Sequence, residues 1–87
     1  MKEIKIPVGD KEKHEVSVRY KVWGFGVKIF LDGEELSKLP EMGGVHGFNV
    51  GDQEKHYVEI EYRFTGSLTH RITARVDGRI VYEGSVW

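Results

Sequence analysis

The segment VGDKEKHEVSVRY, Val8 to Tyr20, returns forty-two positions later as VGDQEKHYVEIEY, Val50 to Tyr62, with eight of thirteen positions identical. In the first copy Val16, Val18, Tyr20 and Val22 alternate with Glu15, Ser17, Arg19 and Lys21. In the second, Val58, Ile60, Tyr62 and Phe64 alternate with Glu59, Glu61 and Arg63. A period of two is that of a strand with one buried face, so each copy predicts a half-buried β-strand entered through a GD-x-EKH turn.

The repeat continues outward. VKIFLDGEEL, Val27 to Leu36, aligns with ITARVDGRIV, Ile72 to Val81, now forty-five positions apart. The offset has grown by three, which places an insertion in the loop where the first copy has VWGFG and the second FTGSLTHR. Asp32-Gly33 and Asp77-Gly78, flanked by apolar alternation, signal two-residue hairpins, because both central turn positions require positive φ. Each copy therefore reads strand, GD turn, strand, hairpin, strand, Asp-Gly turn, strand. No segment carries a helical period with caps; at most one helical turn is expected, around Glu34 to Lys38.

A four-stranded meander with one apolar face needs that face covered, and a second copy laid against it supplies the cover. The expected fold is all-β: an eight-stranded antiparallel sandwich of two duplicated meanders, one domain over residues 1–87, with repeats at about 4–39 and 45–87. The joining segment SKLPEMGGVHG, with Pro40 and Gly43-Gly44, reads as the crossing between sheets. Either half alone is too small for an independent unit. Alternation also sets a register in which Phe64 faces His70, Glu59 faces Arg75, Arg63 faces Arg71 and Ile60 faces Ala74.

Composition bounds the function. Thirteen Lys and Arg against fourteen Asp and Glu give a net charge of -1, spread evenly over the two halves, so no nucleic-acid footprint or membrane-seeking basic face is expected. With no cysteine, no leader-like start and no apolar run long enough to span a bilayer, the expected compartment is cytoplasmic.

Together the run FNVG (Phe48 to Gly51), the alternating VEIEY, the following Gly66 and ITARVDGRIV resemble the sequence pattern of the Fas apoptotic inhibitory molecule family. IPVG, VSVRY and VKIFLDGEEL extend the resemblance over the first copy. It implies a compact antiparallel β-sandwich without a known catalytic centre. Animal members of that family carry two such domains in tandem and act in apoptosis signalling and protection against aggregation, whereas this chain has room for one.

Four histidines, His14, His46, His56 and His70, fall in none of the HxH or HExxH spacings of a metal site, so no metal and no cofactor is expected. His14 and His56 are repeat equivalents suited to turn or hydrogen-bonding roles; His46 corresponds to Ile4 and should point inward at the rim of the core. Asp10, Asp52, Asp32 and Asp77 are explained by turn chemistry. The serines lack a nucleophile elbow, and neither WGFG nor VGDKEK is a phosphate loop. Tyr20, Tyr62, Phe48, Phe64 and Tyr82 should supply bulk to the core. Phe30 alternates onto the outer face, as a rim residue or part of a contact surface.

The repeats disagree at one tip, where Trp23 and Phe25 stand against the small polar TGSLT. These two aromatics either plug the open end of the sandwich or protrude as a binding pair. Trp23 and Phe25 are accordingly the candidate binding residues. The expected function is a non-catalytic protein-interaction or scaffold module, not an enzyme, acting as a monomer or weak homodimer on a protein partner. The alternative is a β-sandwich binding a small ligand or carbohydrate on an exposed aromatic.

Overall fold

The computed structural model describes residues 2–21, 26–66 and 69–86. Eight strands follow one another: β1 (Lys2–Val8), β2 (His14–Tyr20), β3 (Val27–Leu31), β4 (Glu34–Leu39), β5 (Gly43–Val50), β6 (His56–Gly66), β7 (Thr69–Val76) and β8 (Arg79–Val86). They form two four-stranded antiparallel meanders, β1-β2-β3-β4 and β5-β6-β7-β8, and no strand of one half enters the sheet of the other. Among the described residues no helix is long and apolar enough to cross a membrane.

The duplication is visible in the registers. Ile4 pairs with Val18 as His46 pairs with Ile60, and Val18 pairs with Ile29 as Ile60 pairs with Ala74. All four pairings expected across β6 and β7 are present, Phe64 with His70, Glu59 with Arg75, Arg63 with Arg71 and Ile60 with Ala74. Of these only Arg63 with Arg71 sets like charges opposite. Arg71 turns toward Glu83 at 3.9 Å, while Arg75 meets Glu61 at 3.3 Å. The three-residue insertion lengthens a ladder: the second copy adds three pairs beyond Tyr62 and Ile72, the last of them Gly66 with Thr69.

The alternating apolar faces of both sheets supply one core. Val16, Val18, Ile29, Val58, Ile60, Ile72 and Ala74 have no exposed surface, and Ile6, Val8, Tyr20, Val27, Leu39, Val50 and Tyr62 complete the cluster. Phe48 and Tyr82 pack against it. Burying each large aliphatic side chain contributes about 1.5–3 kcal/mol, which neither meander would gain alone. Asp32 and Asp77 take φ values of 49° and 52° and Gly33 and Gly78 values of 88° and 82°, as two-residue hairpin turns demand. From β4 to β5 the chain crosses in a tight turn, with the Gly43 N–H donating to the Pro40 carbonyl at 2.9 Å.

Two expectations are corrected. Glu34 to Lys38 is not a helical turn but most of β4, an edge strand with a register shift opposite Ile29 and Phe30 that leaves Leu36 half exposed. The bulge and the run of charges hide the alternation. Phe64, expected in the core, is 49% exposed at the extended end of the hairpin; its edge rests on its buried cross-strand partner His70.

Candidate functional site

The two GD-x-EKH turns, forty-two residues apart in sequence, meet at one end of the molecule and exchange carboxylates. Glu54 accepts hydrogen bonds from the backbone N–H groups of Asp10 and Lys11, both at 2.7 Å, and of Glu12 at 3.2 Å. Glu12 does the same for the other turn, accepting from Asp52 at 2.8 Å, Gln53 at 2.7 Å and Glu54 at 3.3 Å. Each turn thus presents a nest of three successive N–H groups, which is an anion site, and the anion is the glutamate of the opposite half. The arrangement is reciprocal, as a two-fold relation between the halves requires.

The turn itself depends on glycine. Gly9 and Gly51 have φ of 99° and 100°, and a Cβ on either would lie 2.0 Å from the carbonyl oxygen of Glu12 or Glu54. Only glycine tolerates both the left-handed backbone and that approach.

Behind each glutamate stands a histidine held at both ring nitrogens. Nδ1 of His14 lies 2.6 Å from Asp32 Oδ2 and its Nε2 contacts Glu12 Oε2; Nδ1 of His56 lies 2.6 Å from Asp77 Oδ2 and its Nε2 contacts Glu54 Oε2. Carboxylate oxygens only accept here, so each ring binds both partners fully when both nitrogens carry protons. The hydrogen bond to Asp32, followed by that to Glu12, raises the pKa of His14; Asp77 and Glu54 do so for His56. Glu12 is pulled down to about 2, first by His14 and then by the N–H groups of Gln53 and Asp52. Glu54 falls to about 2 through His56, Lys11 and Asp10. Asp32 and Asp77 also anchor the incoming strands, accepting from the Glu15 N–H at 2.8 Å and the Tyr57 N–H at 2.9 Å.

The carboxylates and imidazoles of this cluster are engaged with one another and with the backbone of the opposite turn. No group of three or more metal-ligating side chains is disposed around a common point among the described residues. A carboxyl with a pKa near 2 is a poor proton donor at neutral pH, and both ring nitrogens of His14 and of His56 face a carboxylate oxygen. The cluster ties the two sheets together at their turns.

Other sequence-selected residues divide. Trp23 and Phe25, the candidate binding pair, lie outside the described residues. Phe30 is 9% exposed although it faces outward, because the Arg19 guanidinium lies 4.1 Å above its ring and is itself held by Glu3 at 2.7 Å. It is therefore a covered residue rather than a contact surface. His46, partly buried opposite Ile60, stacks on Phe48 with ring centroids 5.4 Å apart. His70 stacks on Tyr62 at 4.9 Å, with Nε2 3.2 Å from the Glu41 carbonyl. Sequence reasoning missed Glu12 and Glu54; the signal was present in the invariance of E-K-H between the copies, where Lys11 and Gln53 differ.

Comparison with known proteins assigns no family. No family model matches the chain, and no curated protein matches it.

Proposed function

We propose that the chain is a non-catalytic interaction module, a rigid β-sandwich that offers its loops and outer sheet faces to a protein partner. The observation that supports this reading is the occupancy of both nitrogens of His14 and of His56, with Glu12 and Glu54 held ionised between a histidine and a nest of backbone donors. The groups best suited to proton transfer are thereby committed to holding the halves together. The resemblance to a family of β-sandwiches without a known catalytic centre points the same way.

Within this reading Trp23 and Phe25 form the recognition loop, since the second copy dispenses with both aromatics at the same place in its meander. Replacing Trp23 by Ser tests the assignment through two measurements on one variant. An unchanged unfolding midpoint with loss of partner captured from the source cell supports recognition. A large fall in the midpoint means that the ring plugs the sandwich, and overturns it. A turnover activity lost on His14→Gln would overturn the non-catalytic reading itself.

A further inference from the structure

The outer faces of the two sheets have diverged along one row. On the first sheet the registers set Glu3, Arg19, Lys28 and Lys38 side by side across β1 to β4, with Lys28 directly opposite Lys38. The equivalent row of the second sheet is Val45, Glu61, Thr73 and Glu83. Three cations and one anion give the first row a charge of +2; two anions give the second -2. Arg19 is matched by Glu3. Neither Lys28 nor Lys38 has a carboxylate within ion-pair distance among the described residues.

Like charges directly opposite one another weaken a sheet. The fold does not require them: at the same two positions the second sheet has Thr73 and Glu83, whose side chains contact one another at 3.5 Å. Beside the lysine pair is a cleft of about 410 Å³ whose other walls are Gly26, Val27, Leu39 and Pro40. Two exposed ammonium groups at one cross-strand spacing, each with three donors, match two negative charges distributed over several oxygens; a single carboxylate would neutralise only one of them. The largely apolar walls leave room for whatever organic group carries the charge.

We propose that Lys28 and Lys38 form a binding site for a phosphate monoester, the ammonium groups holding the dianionic phosphoryl group and the cleft receiving the carrier. The site does not use the turn cluster; its cleft borders, through Gly26, the loop that carries Trp23 and Phe25, and the lysine variants, which leave both aromatics in place, separate it from the protein-interaction reading.

The test is a titration of the full chain followed by amide NMR, with inorganic phosphate, with phenyl phosphate, and with sodium chloride at matched ionic strength. Saturable shifts confined to Val27, Lys28, Lys38 and Leu39 are expected with both phosphates, tighter for phenyl phosphate, and weakened by added salt. Lys28→Gln with Lys38→Gln should keep the dispersed spectrum of the folded chain and lose the response. Shifts that do not saturate, or that persist in the double variant, would overturn the site. Equal affinity for the two phosphates would overturn the role of the cleft and with it the monoester assignment.

Discussion

Glu12 and Glu54 each complete a turn that belongs to the other half of the molecule. The carboxylate of Glu54 takes up the N–H groups of residues 10–12, and that of Glu12 those of residues 52–54. Two sheets that share only a core could slide on one another with modest loss, because apolar contact is non-directional. The exchanged glutamates add direction and fix the alignment of the sheets at this end.

Removing one glutamate should therefore leave a nest of donors without its anion in the opposite half. Glu12→Gln and Glu54→Gln should both lower the denaturant midpoint, by similar amounts, and each by more than Glu59→Gln, which lies outside the exchange. Amide exchange should rise at residues 52–54 in the first variant and at 10–12 in the second. Protection lost at the mutated residue's own turn instead would contradict the cross-wise arrangement.

The same cluster sets a pH optimum. Glu12 and Glu54 are lowered from 4.5 to about 2, so their contribution is complete above about 4.5 and is lost as the pH falls toward 2. His14 and His56 are raised from 6.5, so theirs is complete below about 6.5 and is lost as the pH rises through their folded-state values. Stability should peak between about 4.5 and 6.5 and decline on both sides. In the double variant His14→Gln, His56→Gln the decline above 6.5 should vanish. Thermal unfolding across pH 3 to 9 reads both limbs, and a wild-type curve flat from 6 to 9 would refute the imidazolium bridges.

Packing makes a sharper demand at the centre of each sheet. Val18 and Ile60 are repeat equivalents with no exposed surface. Truncation of either to Ala should cost about 2–4 kcal/mol in chemical denaturation, through lost burial and an unfilled cavity. Glu59→Ala should cost less than about 1 kcal/mol. Equal losses at the buried and outward positions would contradict the assignment of faces.

These two valine and isoleucine positions were legible from sequence because a period of two and a pair of Asp-Gly turns leave little freedom in where a strand begins, ends and faces. The register across β6 and β7 followed by counting from those turns. β4 was less legible: in EELSKL a bulge breaks the alternation and an exposed edge tolerates charge on both faces, so local pattern carries little information there. Least legible was the turn cluster. His14 opens β2 and Asp32 follows β3 at the same end of the hairpin, but Glu12 meets its donors only after the halves have docked, so no spacing along the chain encodes that contact. What the repeat did preserve was E-K-H itself, a conservation within one chain that turn chemistry alone does not require.

The outward-facing Phe30 is buried beneath a charged neighbour. Arg19 lies over the ring and is tethered by Glu3, so the guanidinium serves as both cation and cover. In the second copy the equivalent residues are Glu61 and Arg75, which form an ion pair at 3.3 Å, so each half has its own solution to the same outer-face position. Arg19→Ala should expose the ring and cost about 1 kcal/mol, of the order of a partly desolvated cation–π contact. Arg19→Lys should recover only part of that, since an ammonium cannot lie flat on the ring. Coupling can be separated from coverage by a cycle of Arg19→Ala, Phe30→Thr and the double variant in chemical denaturation. A non-zero interaction term is expected, and strictly additive losses would mean that the two side chains are neighbours without being partners.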